Sequence, residues 1–192
     1  MGMELEWKYA AKGEALAKLR ASYPGLLPIA METTYYDTPK GELAARHITL
    51  RRRYENGRSV CTLKTPGQGS ARGEWDTENA TIEEAIPVLC KLSGYEHLRV
   101  LLYGGVIPVC GARFTRLATT LTLPDCTLEL ALDEGVLMGG GREIPQCEVE
   151  VELKSGSQEA ALRFAQDLAE AYGLQPEPRS KYARAKALAE GE

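Results

Sequence analysis

The sequence predicts an α+β protein built on seven to nine mostly antiparallel strands with a few helices. Three observations predict this class. Residues 3–10 alternate strictly between polar and apolar side chains, as a half-buried strand does. Asn56-Gly57 separates two strand-like segments and is a strong hairpin signal. Residues 157–172 carry apolar side chains at helical spacing, which predicts an amphipathic helix late in the chain.

The strands follow from alternation, from β-branched and aromatic residues, and from the turn residues between segments. Strands are predicted at 3–10, 31–38, 46–55, 58–65, 73–79, 112–123, 126–133 and 143–154. Residues 66–73 form a Gly-rich turn region, and Gly139-Gly140-Gly141 predicts the hairpin that joins the last two strands.

The helices have recognisable ends. They are predicted at 13–22, from Thr81 onward with a further helical segment around 95–103, at 157–172 and at about 179–190. Thr81 and Glu84 have the spacing of a capping box. Ser157 is placed to cap the amphipathic helix, and Gly173 to end it.

Length and charge exclude several classes of protein. The 192 residues predict a single domain over residues 1–192. The net charge of −4 argues against a general nucleic-acid binder. No apolar run approaches the ~20 residues of a membrane span. We therefore expect no nucleic-acid or membrane partner, while a homodimer stays open.

The cysteines and the N-terminus indicate a cytoplasmic protein. The five cysteines are odd in number and form no CxxC pair, which argues against a disulfide framework or a thiolate zinc site. The first residues are acidic where a signal peptide would be basic and then apolar. We expect free thiols in a reducing compartment.

Charged residues in the predicted strands keep one parity, so they share one face of the sheet. Carboxylates gather on Glu4 and Glu6 and again on Glu148, Glu150 and Glu152, while basic residues gather at Arg51, Arg53, Lys64, Arg72, Arg113 and Arg116. A polar face in water is the plain alternative, but glutamates on one face of a strand repel each other. A charge-lined cavity explains the segregation, since carboxylates would hold a hard cation and basic residues a polyanion.

These segments resemble, in order, the motifs of the CYTH superfamily, the triphosphate tunnel metalloenzymes. The matching segments are Glu4-Leu5-Glu6-Trp7-Lys8, Tyr35-Tyr36-Asp37-Thr38-Pro39, Leu50-Arg51-Arg52-Arg53, Thr62-Leu63-Lys64, Arg72-Gly73-Glu74, Glu129-Leu130-Ala131-Leu132-Asp133, 148–154 and Ser180-Lys181. The resemblance covers roughly residues 3–188, and several motifs in order make it specific.

The resemblance implies a closed eight-stranded antiparallel β-barrel that forms a triphosphate tunnel, with flanking helices. It implies hydrolysis of inorganic triphosphate to pyrophosphate and phosphate with Mg²⁺ or Mn²⁺, and it is nearest to the bacterial inorganic triphosphatases. Alternatives within the fold are a class IV-type adenylate cyclase and a thiamine triphosphatase. An alternative of another class is a non-catalytic module that binds polyphosphate or nucleotides. No GxxxxGK[ST] segment indicates a P-loop enzyme.

The resemblance also assigns roles to single residues. The metal ligands would be Glu4, Glu6, Asp133, Glu148, Glu150 and Glu152. The triphosphate would bind Lys8, Arg51, Arg53, Lys64, Arg72, Arg113, Arg116 and Lys181. The catalytic set would be Glu4, Glu6, Lys8 and Lys64. Arg52 has the opposite parity and is expected at the surface, while His47 and His97 lie outside the motifs and are expected to be structural.

Overall fold

One antiparallel sheet connects nine strands in the computed structural model, which describes residues 5–66 and 72–191. The strands are β1 (Glu6–Ala10), β2 (Leu27–Asp37), β3 (Thr49–Glu55), β4 (Arg58–Pro66), β5 (Arg72–Glu78), β6 (Ile107–Thr122), β7 (Cys126–Gly139), β8 (Arg142–Gly156) and β9 (Gln175–Pro176). The helices are α1 (Gly13–Ser22), α2 (Ile82–Ser93), α3 (Glu96–Leu101), α4 (Gln158–Tyr172) and α5 (Lys181–Glu190). The predicted class, an antiparallel sheet with helices around it, is confirmed.

The sheet differs from the expected closed eight-stranded barrel. The strand order is β5-β4-β3-β2-β6-β7-β8-β1-β9, and within residues 5–66 and 72–191 no pairing joins the two ends. The free edge of β1 pairs instead with the two-residue β9, through Tyr9 with Pro176 and Ala10 with Gln175. The ninth strand, β9, therefore occupies the edge of β1 with which β5 would have to pair to close a barrel.

The predicted hairpin turns are present with the backbone conformations that their residues favour. Asn56 and Gly57 have φ angles of 49° and 85° between β3 and β4. Gly140 and Gly141 have φ angles of 58° and 73° between β7 and β8. Positive φ at both central residues is the condition of the tight hairpin turn whose twist matches that of the strands.

The predicted helix ends are also present. The Thr81 side chain accepts from the Glu84 amide, and the Glu84 carboxylate accepts from the Thr81 amide, which completes the capping box of α2. Ser157 caps α4 through the Ala160 amide, and Gly173 ends the helix in the left-handed conformation. No helix in the described part of the chain is long and apolar enough to cross a membrane.

Several strands are longer than predicted. β2 begins at Leu27 rather than residue 31, β6 at Ile107 rather than 112, and β7 continues to Gly139 rather than 133. The extra residues include prolines, glycines and apolar runs that break the alternation. Pairing with neighbouring strands holds these segments extended, which alternation along a single strand does not reveal.

Helices cover the outer face of the sheet in two places. α1 and α4 pack on β7, β8 and β1 around Leu130, Val149 and Val151. α2 and α3 pack on the β4 side of the sheet around Leu50, Leu63 and Leu89, with Leu89 contributed by α2 itself. Burial of these apolar side chains is the main stabilisation of both layers. The opposite, charged face of the sheet is left as the inner face.

α5 packs on the inner face, against β6 and β7. A small apolar cluster forms there from Met31, Tyr35, Phe114, Leu137 and Ala185 with their neighbours. The helix therefore covers one end of the inner face, and the charged residues occupy the rest.

Candidate active site

Side chains from both halves of the sheet meet in a cleft on its inner face. An inner cavity of about 120 Å³ lies beside the start of α5, and a wider one of about 670 Å³ lies beyond it. The inner cavity is lined by Glu6, Lys8, Thr33, Tyr35, Thr49, Arg51, Arg53, Lys64, Phe114, Arg116, Glu150, Ser180, Lys181 and Tyr182. Arg51, Arg53 and Arg116 line both cavities, so the two are continuous along a basic strip.

The basic wall is formed by β3 and β4. Lys64 Nζ lies 2.9 Å from Glu74 Oε2, and an Arg51 guanidinium nitrogen lies 3.7 Å from the other oxygen of Glu74. Arg53 pairs with Glu55. The buried Nε atoms of Arg51 and Arg53 have no hydrogen-bond partner within the described residues. Burial and neighbouring Arg51 lower the pKa of the Arg53 guanidinium. The wall therefore has Nε donors without a partner in the described residues and a high density of positive charge. Both properties favour the binding of an anion.

The acidic wall is formed by β1, β8 and β7. Glu6 is the cross-strand partner of Glu152, and Glu152 is the partner of Glu129, so three carboxylates form one row. Lys154 Nζ lies 2.7 Å from Glu152 and 3.6 Å from Glu129. Lys8 Nζ lies 3.4 Å from Glu6. Adjacent carboxylates on one face are costly unless cations hold them apart.

At the α5 end of the cleft, a buried cluster combines carboxylates and cations. Lys181 Nζ lies 2.8 Å from Asp133, 2.9 Å from Glu148 and 2.6 Å from Glu150. Arg116 forms a fork on Asp133, with two bonds of 2.8 Å, and also pairs with Glu150. Asp133 and Glu148 are completely buried. Such charges are tolerated because each is paired and hydrogen-bonded.

The two neighbouring glutamates of this cluster titrate differently. Burial raises the pKa of Glu148, and nearby Glu150 adds to the effect. The pKa of Glu150 lies well below its usual range, because Lys181 and Arg116 outweigh the cost of burying its charge. Burial opposes the charge of Lys181, but the surrounding carboxylates raise the pKa of its ammonium group. Glu150 is thus the more acidic carboxylate of the pair.

The structure brings most of the expected substrate-binding residues together. Lys8, Arg51, Arg53, Lys64, Arg116 and Lys181 all line the inner cavity. Arg113 does not join them: it is three residues from Arg116, faces the outer side, and pairs with exposed Glu143. Arg72 begins β5, and its side chain is outside what the structure describes.

The expected metal ligands divide into three groups. Glu4 lies outside the described residues. Glu6, Glu150 and Glu152 face the cleft or its wider part. Asp133 and Glu148 have their oxygens bound by cations of the protein itself, so their metal role stays a prediction. Among residues 5–66 and 72–191, no three His, Cys, Asp or Glu side chains are grouped closely enough to hold an ion.

Sequence reasoning missed two groups of site residues. Arg184 pairs with Glu148 and donates to Gln146 Oε1 at 3.2 Å. Phe114 lies under two cations, with its ring centre 5.2 Å from Lys181 Nζ and 6.0 Å from the guanidinium of Arg116. The signal for Arg184 was present, because a residue three positions after Lys181 on a helix lies on the same face. Gln146 likewise shares the parity of Glu148.

Comparisons with known proteins agree with this fold. HpAC1 from Hippeastrum, an adenylyl cyclase candidate reported to have a dominant triphosphatase activity, has a TM-score of 0.68 at 18% identity over 97% of this chain and 96% of its own. An adenylate cyclase candidate from Bacillus halodurans has a TM-score of 0.65 at 15% identity over 93% of this chain and 94% of its own. At these identities the likeness shows the fold alone.

Sequence comparison identifies the family. An inorganic triphosphatase from Haemophilus influenzae is 31% identical over 139 residues, which are 70% of this chain and 39% of that protein. The chain thus spans about two fifths of the length of this curated relative. The family model of the CYTH domain matches residues 2–185, nearly the whole chain. The chain therefore belongs to the CYTH domain family, as its motifs predicted.

Proposed function

We propose that the protein hydrolyses inorganic triphosphate to pyrophosphate and phosphate in the inner cleft, with the help of a divalent metal ion. The observation that carries the proposal is that Arg51, Arg53 and Lys64 line the inner cavity together, where the buried Nε atoms of Arg51 and Arg53 have no hydrogen-bond partner within the described residues. A buried donor without a partner is costly, and phosphate oxygens of a bound substrate would satisfy both.

The size of the inner cavity supports a compact substrate. Its volume of about 120 Å³ suits phosphate groups rather than a nucleobase, and eight of its fourteen lining residues are charged, beside the rings of Tyr35, Phe114 and Tyr182. The Haemophilus influenzae relative that matches 70% of this chain is an inorganic triphosphatase, which supports the same substrate. A nucleoside would have to project into the wider part of the cleft.

The residues of the cleft would divide the chemistry between them. Arg51, Arg53 and Lys64 would bind phosphate oxygens along the basic wall, and Lys8 would do so from β1. A water molecule would attack one terminal phosphorus, the bond to the bridging oxygen would break, and pyrophosphate would leave. The basic side chains would stabilise the charge that builds up on the leaving oxygen. No nucleophile from the protein is required.

The donors of the acidic wall fit a magnesium or manganese ion. Glu6 and Glu152 are direct cross-strand partners and supply the hard carboxylate oxygens that such ions prefer. Glu150 shares their face, and Glu4 belongs to the same motif as Glu6. When bound there, the ion would neutralise phosphate charge and help to orient or activate water. In this proposal the enzyme acts in the cytoplasm, where free thiols persist.

A phosphate-release assay tests the proposal. Purified protein is given tripolyphosphate, thiamine triphosphate or ATP with Mg²⁺ or Mn²⁺, and the products are also analysed for cyclic AMP. We expect the highest kcat/KM with tripolyphosphate, since the ratio of specificity constants measures discrimination. Cyclic AMP as the main product would instead establish the cyclase, and preference for thiamine triphosphate the thiamine triphosphatase. Binding of tripolyphosphate without turnover would support the alternative of a non-catalytic binding module.

A further inference from the structure

The buried cluster at the α5 end of the cleft has as many cationic side chains as carboxylates only when Arg184 is counted. Three carboxylates, those of Asp133, Glu148 and Glu150, face two cations that line the cavity, Arg116 and Lys181. Arg184 is the third cation, and it pairs with Glu148. Its side chain is only 12% exposed, and it does not line the inner cavity.

Arg184 and Lys181 share the two oxygens of Glu148. Lys181 binds Oε1 at 2.9 Å, and Arg184 binds Oε2. Gln146, which is 3% exposed, accepts at 3.2 Å from the same guanidinium nitrogen of Arg184 that contacts Glu148. Both cations are on the first turns of α5, so the contact also fixes the start of this helix against β8.

We infer that Arg184 is a positioning residue for triphosphate binding. Because Arg184 compensates the charge of Glu148, the charges of Lys181 and Arg116 can attract the substrate. This inference rests on the proposed function. Without Arg184, three buried carboxylates would face two cations. Those cations would be held more tightly by the carboxylates, and the α5 end of the cleft would repel a polyanion.

The test compares three variants on the same helix. Arg184→Gln removes the charge, and Arg184→Lys keeps it without the planar fork. Lys186→Gln removes a half-buried charge that pairs with Glu190, outside the cluster. We expect Arg184→Gln to raise KM for tripolyphosphate about tenfold while kcat changes much less. Arg184→Lys should recover part of the loss, and Lys186→Gln should match the unmodified protein.

A double variant separates charge balance from structural damage. Glu148→Gln with Arg184→Gln removes one charge of each sign, so it should bind tripolyphosphate more tightly than Arg184→Gln alone, as measured by calorimetry. This comparison remains decisive if Arg184→Gln is poorly folded, because Arg184→Lys and the double variant each preserve the balance. An unchanged KM in a folded Arg184→Gln, or a double variant that binds no better than the single one, overturns the inference.

The outcomes distinguish this inference from the proposed function. If the unmodified protein binds tripolyphosphate but hydrolyses none of the three substrates, the proposed function fails and the dissociation constants of the variants decide the role of Arg184. If it hydrolyses tripolyphosphate and Arg184→Gln has an unchanged KM, only the inference fails. If it neither binds nor hydrolyses tripolyphosphate, both fail.

Discussion

Three consecutive arginines in β3 show how strongly strand parity determines the environment of a side chain. Arg51 and Arg53 point into the cleft, where both line the inner cavity and its wider part. Arg52 points outward, donates to the Ala80 carbonyl at 3.2 Å, and lies over the Tyr54 ring at 5.0 Å. Three consecutive residues of the same type therefore have two different roles.

Alanine substitution at these positions should separate those roles. We expect Arg51→Ala and Arg53→Ala each to lower kcat/KM for tripolyphosphate about 10- to 100-fold, because each removes charge-assisted hydrogen bonds of about 1.5–3 kcal/mol. Arg52→Ala should change kcat/KM little. Steady-state kinetics on the three variants, with melting temperatures as the control for folding, checks this. Similar losses at all three positions would contradict the assignment of Arg51 and Arg53 to the cleft.

The cysteines should be almost unreactive in the folded protein. Burial raises the pKa of Cys110 to about 12 and that of Cys61 to about 11, and Cys90 and Cys126 are also buried. At pH 8 a thiol with a pKa of 12 is thiolate in about one molecule in ten thousand, and the thiolate is the reactive form. Labelling with a thiol reagent should modify Cys147 first and the other four only on denaturation. Fast labelling of Cys110 in the native protein would contradict this.

At the scale of elements, α5 determines where the cleft ends. The helix lies so close to the β7–β8 hairpin that a Cβ on Gly139 would be 2.4 Å from the Ala185 carbonyl oxygen and 2.7 Å from the Ala189 amide nitrogen. Arg142 also donates to the Leu188 carbonyl near the end of the helix. The glycine at 139 is therefore needed for close packing. That packing places the start of α5, with Lys181, against the buried carboxylates.

Gly139→Ala should displace α5 and weaken the site. We expect a loss of about 1–3 kcal/mol in the free energy of unfolding, typical of forced overpacking, together with a higher KM for tripolyphosphate. Gly13→Ala is the matched control, because a Cβ there meets nothing within 4 Å. Chemical denaturation and steady-state kinetics measure both effects. If Gly139→Ala matches Gly13→Ala in stability and KM, the close approach of α5 is not required.

At the scale of the whole molecule, the sheet separates charge across its inner face. The basic wall on β3 and β4 faces the acidic wall on β1, β8 and β7. The strands of one wall are distant in the sequence from those of the other. A metal ion on the acidic wall and a triphosphate on the basic wall would each stabilise the folded state, because a ligand that binds only the folded form adds to its stability.

Thermal unfolding should therefore depend on both ligands. We expect tripolyphosphate with Mg²⁺ to raise the Tm at saturating concentrations, by an amount that corresponds to about 3 kcal/mol at a hundred times Kd. EDTA should remove part of this shift and abolish hydrolysis. Hydrolysis that survives thorough chelation would contradict the role of the metal.

Glu6→Gln tests the acidic wall by itself. The substitution removes a charge with almost no change in volume, so the variant should fold and bind Mg²⁺ more weakly. Hydrolysis of tripolyphosphate should fall at least about 100-fold if the ion supplies several kcal/mol of charge stabilisation. Calorimetry with Mg²⁺ and the phosphate-release assay measure the two effects. Exposed Glu14→Gln on α1 is the control.

Much of the fold was predictable because it depends on short-range patterns. Alternation predicted the main strands, Asn56-Gly57 predicted the turn between β3 and β4, and Thr81 with Glu84 predicted the start of α2. Each of these signals depends on residues a few positions apart, whose physical preference is local. The same parity predicted that Arg51, Arg53 and the glutamates of β8 share the inner face.

Only the tertiary structure decided how the sheet ends and which charges meet. The pairing of β1 with β9 depends on a two-residue strand that carries no pattern of its own. The sharing of Glu148 between Lys181 and Arg184 depends on packing of α5 against β6 and β7, which brings both side chains within reach of β8. Arg113 and Arg116 lie on opposite faces of β6 by parity alone, but only the tertiary structure shows that Arg116 reaches Asp133 and that Arg113 pairs with Glu143. Sequence patterns determine the face on which a side chain lies, whereas its partner depends on long-range contacts that no local preference encodes.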